Sequence, residues 1–231
     1  MYMLATEEQT AQLVGFFRTH GVLASHRKNE YIIEPGATPP GVFYVVDGLV
    51  KAYDVTRYGE ENLLIIRKSH EIFPLIWALT GQERHIIYRS LKPTTSLRVD
   101  REVFMNFLRH SPDTLAPLLD ITIEMYRLHS ERIINLEYRT VRERVISFLL
   151  TTSERFGTVH PNGVKIGVQL RHQDIASSVN SSRETTTREL AYLERKGLIG
   201  KDGPYFIIRN SEQLEAHLSR PLLTKPISNS A

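Results

Sequence analysis

No cysteine occurs among the 231 residues. Its absence excludes disulfides, cysteine-ligated iron–sulfur clusters, Cys-type zinc sites and thiol redox sensing, and it fits a reducing cytosol. Long apolar runs are missing too: none approaches the ~18 residues of a membrane span. The opening MYMLATEEQT has acids where a secretory leader needs a basic and then an apolar stretch. A cytoplasmic protein with no membrane partner is the expectation. Catalytic patterns are equally scarce. There is no Gly-rich phosphate loop, and no Ser/His/Asp or paired-carboxylate constellation stands out, which argues against an enzyme, and no cofactor is implied. His70, His85, Glu71 and Trp77 suggest a metal or haem pocket, but no two-His-plus-carboxylate spacing accompanies them, and isolated histidines are usually structural. Net charge is small, +3, but uneven: between 138 and 210 there are 12 Lys and Arg against 7 Asp and Glu. The remainder of the chain is slightly acidic. One module that meets phosphates beside one that does not would produce that division.

What is present is organised around RHQDIASSVNSSRETTTRELAYLERKGLI, from Arg171 to Ile199. It reads as two short helices joined by a tight turn. The first carries Ile175, Ala176 and Val179 on one face, and Ala176 is small enough to let another helix cross close by. Asn180 falls at the corner, and Asn is one of the few non-glycine residues that tolerates the left-handed conformation. Ser181, with Glu184 three residues on, predicts a reciprocal cap for the second helix. That helix should bury Leu190 and Leu193, project Arg183, Glu184, Thr187 and Arg188 from its first turns, and end at Gly197. Such a helix is shaped to read base edges in a major groove. A plain helical hairpin with solvated charges competes with this reading. Against it stands the segment beyond Ile199, where Gly200 to Pro204 offers a turn and Tyr205 to Ile208 a β-rich run, the wing of a winged helix. Glu184 keeps a second role open, since its carboxylate could serve only to cap.

Upstream, Glu7 to about Thr19 reads as an amphipathic helix with Leu13, Phe16 and Phe17 on its apolar face. From about Asn29 to Asp100, short β-rich runs (YII, VFYVV, LLII, HIIYRS, SLRV) alternate with Pro/Gly turns (EPGATPPG, VDGL, RYGEEN). That texture predicts a small antiparallel barrel or jelly roll. A short helix follows over 102–108, then a longer one from Ser111-Pro112-Asp113 to about Glu137. Along it Leu115, Leu119, Thr122, Tyr126, His129, Ile133 and Leu136 recur at alternating four- and three-residue steps, a coiled-coil seam. A second stripe, Leu118, Ile121, Met125 and Leu128, is free to pack on the barrel. Two stripes need two partners. A core helix in a monomer is the bland alternative, but polar Thr122, Tyr126 and His129 favour a second copy of the chain. Thr140 with Glu143 predicts a capping box that opens a new helix with Val145, Ile146, Leu149 and Leu150 as its core face. A loop over 155–162 and a short strand around Val164 to Val168 then lead into the helix-turn-helix.

With barrel, long helix, hinge and winged helix in that order, the chain resembles the Crp/Fnr family of transcription regulators over nearly its whole length. The likeness is strongest at VFYVVDGLVKAYDVTRYGEENLL, at SSRETTTREL with LERKGLI, and at GQER, Gly81 to Arg84. It implies an α+β fold: an N-terminal antiparallel β-roll or jelly-roll sensor domain over 1–110, a long dimerisation helix over 111–137, a C-terminal winged helix-turn-helix over 138–220, and a mobile tail over 221–231. It further implies base reading by Arg183, Glu184 and Arg188, and phosphate contacts at Gln173, Ser182 and Thr187. The partners implied are double-stranded DNA, a second copy in a homodimer, RNA polymerase and a small-molecule effector. The residue chemistry agrees, because Arg grips O6 and N7 of guanine while Glu accepts from the cytosine amino group. Glu189 departs from the family at a position that is often apolar, and Leu190 and Leu193 are expected to cover it.

The sensor departs further. Cyclic-nucleotide-binding relatives use a Gly-Glu pair for the ribose and an Arg-Ser pair for the cyclic phosphate. Here Arg84 matches the phosphate Arg, but His85 stands for the Ser and Pro74-Leu75 for the Gly-Glu pair. A hydrogen bond to a charged group is worth about 1–3 kcal/mol, so tight cAMP binding is not expected. Arg84, His85, Leu75 and Trp77 would then line a pocket for another effector, unless Arg84 is only a surface charge. The expected function is a sequence-specific regulator that binds a palindromic operator as a homodimer and is modulated through the roll by an effector other than cAMP. The alternative is a ligand-binding sensor whose winged helix mediates protein contacts.

Overall fold

Within the run VFYVV the first four residues, Val42 to Val45, are buried because both faces are covered there. As strand β3 (Val42–Asp47) it sends Val42 and Tyr44 into a helical cluster on one side, and Phe43 and Val45 into a roll interior on the other. The computed structural model containing this strand describes residues 4–219, so the expected tail over 221–231 lies outside the described residues. The chain divides into two units, Met1–Ser130 and Glu131–Ala231, with the division falling inside the long helix.

The first unit contains two four-stranded antiparallel sheets. One has the order β1 (Val22–His26), β8 (Thr94–Val99), β3, β6 (Ile72–Phe73); the other β2 (Tyr31–Ile33), β7 (Ile87–Ser90), β4 (Leu49–Val55), β5 (Glu61–Lys68). Ile33, Phe43, Val45, Val50, Ala52, Phe73 and Tyr88 cluster in the interior, where the Phe73 ring stacks on Phe43 at 5.1 Å and on Tyr88 at 4.7 Å. Gly48 joins β3 to β4 at φ +132, and a Cβ there would stand 2.4 Å from the Thr94 hydroxyl, so only glycine fits. Outside the roll, helix α1 (Glu7–His20) buries Leu13, Phe16 and Phe17 against Phe104 and Leu108 of α3 (Arg101–His110). Thr6 and Gln9 cap α1 reciprocally.

Three elements of this unit have no clear sequence signal. Strand β1 is an edge strand whose Val22 and Leu23 are both exposed, so no alternation marks it. Strand β4 carries Lys51, which is 1% exposed and survives burial because Glu61 lies 2.7 Å from its ammonium. Helix α2 (Leu75–Thr80) is only six residues long, too short for periodicity to show.

After a 3₁₀ turn at Pro112–Thr114, helix α4 runs from Leu115 to Tyr138. The second stripe behaves as expected at its start: Leu118 is buried in the helical cluster and Ile121 packs against it. Met125 accepts a hydrogen bond from Arg67. All seven seam residues, from Leu115 to Leu136, are exposed on the single chain.

The second unit begins with α5 (Val141–Phe156), followed by β9 (Gly157–His160) and β10 (Gly163–Ile166). The stretch 155–162, expected to be a loop, therefore supplies one strand of a hairpin, with Val159 paired to Val164. Val159 is almost fully exposed, which is why it carries no burial pattern. Helices α6 (His172–Ser178) and α7 (Arg183–Arg195), the wing strands β11 (Ile199–Asp202) and β12 (Tyr205–Ile208), and the short α8 (Ser211–Glu215) complete the unit. The sheet order is β11-β12-β10-β9. Among the described residues no helix is long and apolar enough to cross a membrane.

The helical cluster of the first unit converges on Phe104, fully buried and 5.7 Å from the Phe17 ring. Phe104→Ala should lower stability by about 3–5 kcal/mol, the usual loss for a buried aromatic, read from the urea midpoint of the roll.

Candidate nucleic-acid interface

Helix α6 is short because its sequence supplies one buried face and then a corner. Ile175 and Ala176 are wholly buried, and Val179 nearly so. Its start is closed by Asp174, whose carboxylate accepts from the Arg171 backbone N–H at 3.1 Å and from its guanidinium at 2.9 Å. Asn180 then takes φ 48, the left-handed corner the sequence called for, and the Ser181 N–H reaches back to the Ala176 carbonyl at 3.0 Å.

The cap of α7 is one residue later than expected. Ser182, not Ser181, is the N-cap, its hydroxyl accepting from the Thr185 N–H at 3.1 Å. Ser181 is used in closing the turn. Glu184 is consequently released from capping, and no hydrogen bond or ion pair engages it among the described residues. Thr186, Leu190 and Leu193 turn inward and are buried; Arg183, Glu184, Thr187 and Arg188 are exposed. With Ala191 these four line one open, shallow groove. The sequence thus placed the three base-reading candidates on one face. Gln173 is half-buried near the start of α6, and Ser182 is exposed.

Thr187 has a partner that sequence reasoning missed. Nδ1 of His172 lies 2.9 Å from its hydroxyl, and the imidazole stacks near the Phe206 ring of the wing at 6.2 Å. Burial, with the nearby cations Lys201 and Arg183, pushes the His172 pKa below its ordinary value against the opposing pull of Glu194. In the wing, Lys165 donates to Asp202 at 2.6 Å and holds its carboxyl below the usual range.

Glu189 also has an unforeseen partner. Leu190 and Leu193 do not compensate for it. Instead Arg142 of α5 donates to its carboxylate at 2.7 Å and lays its guanidinium 3.8 Å from the centre of the Tyr192 ring. A carboxylate at that position is stable because an arginine 47 residues earlier in the chain meets it.

At the start of α5 the expected box closes: Thr140 and Glu143 cap each other, and Glu143 also accepts from the Ser219 N–H at 2.8 Å. Burial raises the Glu143 pKa, but the hydrogen bonds from Ser219 and Thr140 outweigh it and hold the carboxyl at about 2.

The effector-pocket residues are not brought together. Leu75 is buried in the helical cluster outside the roll, and Trp77 packs against the same cluster, its carbonyl accepting from Arg101 at 3.2 Å. Arg84 and His85 sit exposed on the loop before β7. The roll contains a different polar group. Arg67 is buried, 3.5 Å from the Glu71 carboxylate and donating to the Met125 sulfur at 2.9 Å, while its Nε finds no acceptor among the described residues. Burial raises the pKa of the neighbouring Tyr88 against the fields of Arg67 and Arg84. Among the described residues no group of three or more His, Asp or Glu is placed to hold a metal ion.

A β-roll followed by a winged helix that exposes Arg, Glu and Arg on its second helix defines a DNA-binding transcriptional regulator with a sensor-type domain. The comparisons give the family. Residues 143–217 match the Crp-like helix-turn-helix domain and residues 23–111 the cyclic nucleotide-binding domain. The global nitrogen regulator of Synechococcus elongatus is 30% identical over 206 residues, 85% of this chain and 91% of that protein. The CRP-like cAMP-activated global transcriptional regulator of Mycobacterium tuberculosis is 26% identical over 211 residues, 91% of this chain and 90% of that one. In fold, FixK2 from Bradyrhizobium japonicum superposes with a TM-score of 0.74 at 21% identity, over 87% of this chain and 98% of its own. The chain belongs to the Crp/Fnr family of transcription regulators, not to an enzyme family.

The depressed pKa of Glu143 has a measurable sign. Its contribution to stability is present above the ordinary carboxyl value of 4.5 and disappears as the pH falls towards 2. Glu143→Gln should therefore unfold at a lower temperature than the parent at pH 7, with the difference shrinking between pH 4.5 and 2.

Proposed function

We propose that the chain is a cytoplasmic, homodimeric regulator that reads an inverted-repeat operator, with Arg183, Glu184 and Arg188 on base edges and Gln173, Ser182 and Thr187 towards phosphates. The observation that carries this reading is the exposed face of α7, where four polar side chains share one groove and, among the described residues, no ion pair engages any of the three proposed base readers. The dimer reading rests on the exposed seam of α4, where Leu119, Tyr126 and Ile133 are 48%, 74% and 57% accessible on the single chain. Two recognition helices related by a two-fold axis would enter major grooves about one helical turn apart. RNA polymerase is the partner through which such a regulator would act.

The effector of this reading is not cAMP. Leu75, where the family's ribose carboxylate would stand, is buried outside the roll, and the buried charge of β5 near α4 is Arg67, with Glu71 as its partner. A small anion suits that interior better than a nucleoside, since the Arg67 Nε–H has no acceptor among the described residues.

Selection of bound duplexes from a random pool should return an inverted repeat. Arg188→Ala should then cost about 1–3 kcal/mol and relax preference at one base pair per half-site. An equal loss on every duplex, or selection of no motif, would defeat the base-reading assignment. Titration calorimetry with millimolar cAMP should show no saturable heat; micromolar binding would refute the exclusion of cAMP.

A further inference from the structure

The six residues 180–185 form a stretch with no buried side chain: Val179 is the last one inside and Thr186 the next. Two of the six, Arg183 and Glu184, are base-reading candidates. Apolar packing therefore does not fix this stretch, and its position must come from the backbone. The C-terminal carbonyls of a helix lack partners within the helix, and here they meet arginines. Three nitrogens of Arg144 reach three carbonyls: Nε donates to Val179 at 2.8 Å, Nη2 to Asn180 at 3.3 Å and Nη1 to Arg139 at 2.9 Å. Arg132 adds a fourth bond, from Nη2 to the Ser177 carbonyl at 3.3 Å.

We infer that Arg144 is a positioning residue for base reading, a strut that fixes the Asn180 corner to the Arg139 carbonyl at the hinge and thereby sets the angle at which α7 presents Arg183 and Glu184. The inference rests on the regulator reading above and deepens it. A planar guanidinium suits the task because its rigid fork spans carbonyls on two chain segments at once, which an ammonium does not do. The cation also lies at the negative end of α6. The carbonyl of Asn180 is three residues from Arg183, so slack at the corner reaches the reading face directly. Each of the three nitrogens of Arg144 donates to a protein carbonyl, which assigns the side chain to the corner.

The test is Arg144→Gln in the full-length chain, with Arg144→Lys as the conservative partner. Preference for the selected operator over an unrelated duplex should fall about tenfold in the glutamine variant, the scale of a lost base contact. The slope of affinity against salt should stay unchanged, because no phosphate contact is removed. The lysine variant, with charge but no fork, should lie between. Amide exchange supplies an independent reading without DNA: the Ser181 N–H should exchange faster in the glutamine variant while β10 and β12 keep their protection. Unchanged exchange at Ser181 overturns the strut. So does an equal loss on all duplexes with a salt slope shallower by about one, which would make Arg144 a phosphate contact. Should the glutamine variant fail to fold, full operator preference in the lysine variant overturns it as well. A parent protein that prefers no duplex would defeat the regulator reading, while the exchange experiment would still judge the strut.

Discussion

A helix of 13 residues lying on a small domain can bury one face only, and the rest of the reading surface follows from that limit. Thr186, Leu190 and Leu193 take the inward face of α7. At 3.6 residues per turn, Arg183, Glu184, Thr187, Arg188 and Ala191 must then share the opposite one. The polar groups are presented because the apolar ones are consumed. Under the proposed function, specificity is in that sense a by-product of packing, and any substitution that rotated α7 in its seat would misaim every proposed reader at once.

The same limit explains how much was legible in the sequence. Features that depend on residues a few positions apart could be read. The seam of α4, the box at Thr140 and Glu143, the left-handed Asn180 and the end of α7 at Gly197, which has φ 70, all follow local rules. The slip between Ser181 and Ser182 is local as well. Both serines suit a cap, but the first is drawn into the turn when its N–H bonds Ala176, and the cap passes to the second. Features that depend on distant partners were not legible. Nothing near Lys51 announces Glu61, nothing near Glu189 announces Arg142, and nothing near Thr187 announces His172. Lys51 and Glu189 look ill-placed in their own segments and meet their partners only from another element.

The roll illustrates a third situation, in which a short motif resembles the family's but its surroundings differ. GQER resembles the family's phosphate loop, yet Leu75 is turned into the helical cluster and Trp77 goes with it. In place of a ribose-binding carboxylate the interior holds Arg67, paired with Glu71 and touching Met125 of α4. A buried guanidinium with one N–H unspent is costly to maintain in an apolar roll. A fold keeps such a group where something is gained from it. Under the proposed function that gain is the capture of a small anion near α4.

The polar character of the Asn180 corner has a related cause. Under the proposed function the corner lies near a charged, hydrated duplex, and leucines could not fasten it without being exposed whenever DNA is absent. Backbone carbonyls are present at every helix C-terminus and need hydrogen-bond donors anyway. Arginine meets both demands, joining carbonyls into a rigid triangle while remaining compatible with solvent. The side chains that fasten α6 and α7 to the second unit are mostly apolar and buried, whereas the connection from Arg139 to the corner is made by guanidinium-to-carbonyl hydrogen bonds. Val179 and Thr186 mark where one regime gives way to the other, and the proposed readers Arg183 and Glu184 lie in the interval between them.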